Sequence, residues 1–172
     1  MRYFTNLSII LAIVLNAAIF GFFYAWVCST MWGLDATDPR VAIAAMQAMN
    51  ASVRNVVFAP AFFATPFALA FASALLWRRS ARKSAAFFGT AALVYLIFGL
   101  ILTMLVNVPM NEALANFAVP PDIAAASEIW LTYSPTWQIW NQIRTIASGI
   151  ALILAVCGVL TLQQSPPQSS GH

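Results

Sequence analysis

Residues 56–106 read VVFAPAFFATPFALAFASALLWRRSARKSAAFFGTAALVYLIFGLILTMLV. The apolar runs Val56–Trp77 and Ala85–Val106 flank the basic segment Arg78–Lys83, which holds four Lys and Arg residues and no acid. Each run reaches the roughly 20 residues that a helix needs to cross about 30 Å of hydrocarbon. Helices are the expected form because lipid offers no partner to an unpaired backbone group. The stretch therefore predicts two transmembrane helices joined by a short, positively charged turn.

The rest of the chain continues this pattern. Two further apolar runs, Leu7–Thr30 and Trp137–Leu162, are also long enough to span a bilayer. Of the 172 residues 62% are hydrophobic and 8% are charged, against about 25% charged residues in a soluble domain. We therefore predict an all-α membrane protein, with a four-transmembrane-helix bundle over residues 1–162 and a disordered cytoplasmic tail over 163–172. Leu7–Thr30 is expected to be a retained span, because it is longer than the apolar core of a signal peptide.

Charged residues are segregated along the chain. All five acidic residues lie within 35–38 and 112–128, and the basic segment Arg78–Lys83 lies between these stretches. Because Lys and Arg concentrate on the cytoplasmic side, this segment and both termini are predicted to be cytoplasmic, in a multi-pass protein of the cell membrane. Topology accounts for the basic segment, so the expected partner is the lipid bilayer and no nucleic acid. The sequence leaves oligomer formation open.

The segments on the predicted outer side also have helical character. Asp38-Pro39 is typical of an N-cap followed by proline at the first helical position. Since 41–58 contains neither Gly nor Pro, we expect one unbroken helix that joins span two and is kinked at Pro60 and Pro66. Span three is expected to continue to about Phe117. Helices two and three would thus extend beyond the outer face.

Span four is expected to have a helix start of its own. Ser134-Pro135 repeats the combination of a capping residue and a proline. The preceding residues, Asp122–Tyr133, are then predicted to form a separate short helix at the outer interface. Trp130 and Tyr133 suit such a position because aromatic residues are enriched at the membrane boundary.

Polar side chains recur at helical spacing on three of the predicted helices. The stripes are Gln47, Asn50 and Arg54 on helix two, Thr103, Asn107 and Asn111 on helix three, and Trp137, Trp140, Asn141 and Arg144 on helix four. Ionisable residues within a membrane usually face the bundle interior or a wet cavity. We predict one cavity at the outer membrane boundary, with Arg144, Asn141 and Asn107 as catalytic candidates. The predicted substrate contacts are Asn111, Gln47, Asn50, Arg54, Trp137 and Trp140. The alternative is that the stripes only hold the bundle together.

Few residues are available as bases or metal ligands. Glu112 is the acid nearest the stripes, and its helical position favours an ion pair over a role as general base. The single histidine, His172, is the last residue, so the usual ligand of haem, zinc and non-haem iron is missing from the bundle. No metal site and no cofactor are therefore predicted. Methionines on the outer half leave a Cu(I) thioether site as an alternative, and these are Met31, Met46, Met49, Met104 and Met110.

Four segments together resemble a known family. They are Gly33-Leu34 with Asp38-Pro39, Met46-Gln47-Ala48-Met49-Asn50, Asn107-Val108-Pro109-Met110-Asn111, and Trp137-x-x-Trp140-Asn141-x-x-Arg144-Thr145. The pattern is similar to that of the anthrone-oxygenase-like family of small four-span membrane proteins, over roughly residues 8–162. The resemblance implies a four-helix membrane fold. It also implies, from fungal members, oxidation of a polyketide anthrone to an anthraquinone with dioxygen.

Two functional classes follow as hypotheses. In the first, an oxygenase holds a flat hydrophobic aromatic or polyketide substrate against Trp137 and Trp140, while Arg144, Asn141 and Asn107 donate to a developing enolate oxygen. Such chemistry is either cofactor-independent or copper-dependent. In the second, a non-catalytic membrane protein binds a quinone, a lipid or a partner subunit through the same cavity. A purely structural bundle is the third alternative.

Overall fold

The computed structural model describes residues 2–163, which form helices joined by short turns and contain no strand. Four long helical stretches are apolar enough to cross a membrane: Arg2–Asp35, Phe58–Arg78, Arg82–Ala115 and Ile123–Gln163. The predicted all-α bundle with four spans is therefore confirmed. The predicted tail, from residue 164 onward, lies outside the described residues.

Spans one and three are continuous helices that contain π-helical segments, in which the backbone is locally wider. Span one consists of α1 (Arg2–Ala25), π1 (Trp26–Thr30) and α2 (Met31–Asp35). Span three consists of α5 (Arg82–Val94), π2 (Tyr95–Ile101), π3 (Thr103–Asn107) and α6 (Val108–Ala115). The other helices are α3 (Pro39–Ser52), α4 (Phe58–Arg78) and α7 (Ile123–Gln163).

The four spans form a ring in which each packs against two neighbours, in the order α1, α4, α5, α7. The core at the level of the basic turn is built from large apolar side chains against small ones. Phe88 is fully buried and packs against Gly158. Small residues on α7 thus allow α5 to approach closely. The basic turn itself is tight, with Ser80 in the left-handed region at φ 61°.

A second apolar cluster lies at the opposite end of the bundle, here called the outer end. It contains Trp26, Met31, Ile43, Met46, Leu114 and Trp130, among others. The helix α3 supplies Ile43 and Met46, and it begins at the predicted N-cap, because Asp38 accepts from the Arg40 backbone N–H at 2.9 Å. The Arg40 guanidinium also donates to this carboxylate, which holds the pKa of Asp38 below its ordinary value of 3.8.

The expected unbroken helix from 41 into span two is not observed, because α3 ends at Ser52 and α4 begins at Phe58. The side-chain oxygen of Asn55 accepts from the backbone N–H groups of Val57 and Phe58, at 2.8 and 2.9 Å. These bonds satisfy N–H groups at the start of α4, so Asn55 acts as a capping residue and a new helix begins there. Pro60 consequently lies in the first turn of α4, where its missing N–H breaks no helical bond.

Span four also differs from its prediction. The helix α7 runs without interruption from Ile123 to Gln163, so the expected separate interface helix is part of span four. Ser134 does not start a helix; its hydroxyl donates to Asp35 on span one at 2.7 Å. Pro135 lies inside α7. The expected extension of helix three is present and ends at Ala115.

Candidate functional site

A cavity of about 590 Å³ lies within the outer half of the bundle. All four spans contribute to its wall, together with α3 and the turn that follows it. Most of the wall is apolar, and its aromatic members are Phe22, Phe23, Trp26, Phe58, Phe62, Phe63 and Trp137. The volume falls within the range of about 300–1,000 Å³ that is usual for small-molecule sites.

Arg144 brings a buried positive charge to this apolar wall. Its side chain lies on α7 and is 5% exposed. The guanidinium donates to Asn141 Oδ1 at 2.9 Å and to Thr103 Oγ1 at 3.3 Å, and both acceptors are neutral. Its carbon lies 4.6 Å from the ring centre of Phe23 and 5.3 Å from that of Trp137.

Among residues 2–163 the ion pairs join Arg40 to Asp38 and Arg54 to Glu112, so no carboxylate neutralises Arg144. A guanidinium has five N–H donors, of which two are used here. A desolvated cation with spare donors interacts strongly with an anionic or electron-rich oxygen, because little water screens it.

Both acceptors of Arg144 are themselves held in place. Asn141 is buried and donates through Nδ2 to the carbonyl of Phe23 at 3.3 Å, just before π1. Thr103 lies in π3 and donates to the carbonyl of Gly99 in π2. The π-helical segments of spans one and three thus lie at the level of the cavity. This agrees with the frequent occurrence of such segments near functional sites.

Asn111 is the second polar group of the wall with a fixed orientation. Its Oδ1 accepts from Tyr133 Oη and from Trp137 Nε1, both at 2.8 Å. Two donors at one atom identify that atom as the amide oxygen. The amide nitrogen then points away from these donors and has no hydrogen-bond acceptor among the described residues.

The rim of the cavity carries charge. Arg54, in the turn after α3, pairs with Glu112 on α6 at 3.1 Å, and both side chains are more than half exposed. Both residues line the cavity. Glu112 therefore pairs at the rim with Arg54 and not in the interior with Arg144.

The structure brings together five of the nine predicted site residues around the cavity: Asn50, Arg54, Asn111, Trp137 and Arg144. Asn141 lies directly behind Arg144. Asn107 is fully buried outside the wall, and neither of its side-chain polar atoms has a hydrogen-bond partner. Asn50 faces the cavity with its Nδ2 also unpaired.

Gln47 and Trp140 do not belong to the cavity, contrary to their prediction. Gln47 Nε2 donates to the carbonyls of Leu114 and Phe117, both at 2.9 Å, and so fastens the end of span three. Trp140 lies on α7 away from the wall and is partly exposed. Its spacing of three residues from Trp137 placed it on the same broad helix face, but the cavity contacts only the Trp137 side.

Some residues of the wall were not predicted. Span one contributes Phe22, Phe23 and Trp26. In the sequence they lie within a long apolar run, where aromatic wall residues look the same as aromatic core residues. The sequence also contains no sign that Asp35 is a structural acceptor. Its carboxylate accepts hydrogen bonds of 2.7–2.9 Å from Trp130, Ser134 and Gln138. These bonds connect the end of span one to span four.

The methionines are divided between core and wall. Met46 is fully buried in the outer apolar cluster, whereas Met49 and Met104 line the cavity. Within residues 2–163, no group of three or more His, Cys, Asp or Glu side chains is arranged to hold a metal ion. The two cysteines, Cys28 and Cys157, are free.

The sequence model of the anthrone oxygenase family matches residues 46–154, which is more than half of the chain. The chain belongs to the anthrone oxygenase family. The matched region includes Asn50, Arg54, Asn111, Trp137 and Arg144, whereas the wall residues of span one precede it. No curated protein and no solved structure matches the chain.

Proposed function

We propose that this anthrone oxygenase family member oxidises a hydrophobic aromatic substrate of the anthrone type with dioxygen, in the cavity at the outer end of the bundle. The observation that carries the proposal is Arg144, a buried guanidinium with unused donors in a mostly apolar wall that holds seven aromatic side chains. A flat, tricyclic substrate suits such a wall because aromatic rings prefer offset-stacked and edge-to-face contacts.

Arg144 would act on the substrate's carbonyl oxygen. An anthrone has a methylene group between two aromatic rings, and removal of one proton from it places negative charge on the carbonyl oxygen. Arg144 and the free amide nitrogen of Asn111 supply donors for this charge in a poorly screened site, and such preorganised donors are often the largest catalytic contribution. The carbanion so formed is electron-rich enough to react with dioxygen.

The overall reaction is balanced without a further reductant. The methylene carbon loses two hydrogens and gains one oxygen atom from dioxygen, which makes the second carbonyl of an anthraquinone. The other oxygen atom leaves as water. The protein's part is to bind the substrate, stabilise the enolate oxygen and keep bulk water away from the intermediate. The proton taken from the methylene leaves through the charged rim to solvent, and an equivalent proton returns to the peroxide oxygen that departs as water.

Non-catalytic binding of a quinone is the second candidate. The carboxylate in the wall, Glu112, is paired with Arg54 at the rim, so no side chain of the wall is placed as an unengaged base in the interior. A quinone needs no base, and its two carbonyl oxygens would accept hydrogen bonds from Arg144 and Asn111. In the same non-catalytic candidate, the cavity would instead bind a lipid or a partner subunit.

The test is oxygen uptake by the purified protein in lipid nanodiscs with anthrone as substrate. We expect anthrone-dependent oxygen consumption above that of protein-free nanodiscs, with about one dioxygen per anthraquinone formed. Equal rates with and without protein would contradict the oxygenase proposal. If anthraquinone then still quenches the tryptophan fluorescence of the protein, the quinone-binding candidate is favoured.

A further inference from the structure

We propose that the ligand reaches the cavity sideways from the lipid, through a portal between spans two and three that is bordered by Phe63 and Met104. This inference rests on the proposed function in that it takes the cavity to bind a hydrophobic aromatic molecule. It adds the route, and it limits the ligand to molecules that dissolve in the bilayer.

The first observation is an asymmetry in the exposure of the wall. On the side of spans one and four the wall is closed, since Trp26, Trp137 and Arg144 are all buried. On the side of spans two and three, Phe63 is 46% exposed and Met104 is 42% exposed, although both line the cavity. On this side the wall is therefore accessible from outside the bundle at two apolar side chains.

The second observation is that spans two and three separate toward the outer end. Near the basic turn Ser73 Oγ donates to the carbonyl of Ala85 at 2.7 Å, and further out Tyr95 Oη donates to the carbonyl of Phe62 at 3.0 Å. Beyond Tyr95, no hydrogen bond joins α4 to residues 96–115 of the described chain. Phe63 lies at the level of this last contact, whereas Met104 lies further out, in a part of span three that α4 does not pack closely against.

The third observation concerns the level of the opening and its polarity. Phe63 lies 15 residues from Arg78 along α4, which is about 22 Å at 1.5 Å per residue and within a hydrocarbon layer of about 30 Å. The aqueous rim instead carries the ion pair between Arg54 and Glu112. An apolar molecule that passes the rim must displace water from these charges, whereas the portal presents only apolar side chains to it.

The test measures how fast anthraquinone, which is not itself oxidised, quenches tryptophan fluorescence when nanodiscs holding the protein are mixed with anthraquinone-loaded lipid vesicles. Phe63→Ala and Met104→Ala should raise the association and dissociation rates together by several-fold, because the border is removed. Met104→Phe should lower both rates. The matched controls, Phe67→Ala and Leu105→Ala, remove exposed apolar side chains of the same helices outside the cavity wall and should leave both rates within twofold of wild type. Thermal unfolding of each variant identifies those that are misfolded.

Unchanged association rates in properly folded Phe63→Ala and Met104→Ala would overturn the portal. A faster dissociation without a faster association would also overturn it, because that result indicates only a lost contact with the cavity wall. A faster association in Glu112→Gln, with none in the portal variants, would place the route at the aqueous rim and also overturn it. If wild-type protein shows no quenching, the portal and the proposed ligand class both fail. If it shows quenching but no anthrone oxidation, the portal stands and the oxygenase proposal fails.

Discussion

Single hydrogen bonds in this bundle compensate for backbone groups that proline leaves unpaired. Pro66 lies inside α4 and has no N–H to donate to the carbonyl of Phe62, four residues earlier. Tyr95 of span three donates its hydroxyl to this carbonyl and is itself fully buried. The pair explains how a proline is accommodated in the middle of a span.

A double-mutant cycle tests whether the Tyr95 hydroxyl compensates for Pro66. Tyr95→Phe should destabilise the protein by about 1 kcal/mol, because the Phe62 carbonyl is left unpaired in an apolar interior. In a Pro66→Ala background the same change should cost less, since the introduced alanine supplies the missing N–H. The measurement is unfolding in detergent mixtures of increasing SDS content. Equal costs of Tyr95→Phe in the two backgrounds would show that the hydroxyl does not serve this carbonyl.

At the site, residue patterns predicted the polar members better than the apolar ones. Arg144, Asn111 and Asn50 stood out because polar groups are rare in spans and must face a partner or a cavity. Gln47 followed the same helical stripe as Asn50, but it reaches two backbone carbonyls at the end of span three. Which neighbour a long side chain reaches depends on how helices pack, and periodicity along one helix contains no such information.

Helix boundaries were the least predictable elements. The break between α3 and α4 depends on Asn55. An asparagine side chain can either cap a helix or be exposed to solvent within one, and the sequence does not distinguish the two. The start predicted at Ser134-Pro135 fails because Ser134 bonds to Asp35 across the bundle. A local side-chain cap decides the first boundary and a tertiary contact decides the second. The apolar lengths alone were sufficient to predict the four spans.

The close packing between α5 and α7 predicts that a side chain at Gly158 destabilises the bundle. A Cβ at Gly158 would lie 2.8 Å from Phe88 Cδ2 and 3.2 Å from Phe87 Cβ. Since Phe88 is fully buried, Gly158→Ala must push these helices apart and should destabilise the bundle by about 1–3 kcal/mol. The same SDS titration measures this change.

Gly33→Ala is the matched control, because a Cβ at Gly33 meets nothing within 4 Å. Alanine is the better helix former, so this variant should be neutral or more stable by up to about 1 kcal/mol. If Gly158→Ala were as stable as the wild-type protein, α5 and α7 would not be in the close contact described.

At the scale of the whole molecule, the charges divide the bundle into two ends. Arg78–Lys83 forms the turn at one end, whereas the acidic residues of 35–38 and 112–128 lie at the other. The cavity lies in the outer half with its rim pair, Arg54 and Glu112. If the basic turn is cytoplasmic, the cavity faces the outer leaflet, and the start of α1 and the end of α7 lie on the cytoplasmic side.

Cysteine labelling tests this orientation in intact cells. In a background with Cys28 and Cys157 replaced by serine, Ser80→Cys is expected to react with a membrane-impermeant maleimide only after permeabilisation. The counterpart, Ala118→Cys, lies in the exposed connection between α6 and α7 and should react in intact cells. The reverse labelling pattern would place the cavity on the cytoplasmic side.

Arg144 is expected to serve a ligand and not merely to hold the bundle together. The most direct measurement is anthrone-dependent oxygen uptake by Arg144→Lys, paired with its thermal unfolding. A lysine keeps the charge but cannot reproduce the planar fork, so turnover should fall by about 10²-fold or more while the melting temperature changes little. Arg40→Lys, at the start of α3 and outside the cavity, should keep both properties. Wild-type turnover by Arg144→Lys together with a lowered melting temperature would show that Arg144 is a structural residue and does not serve a ligand.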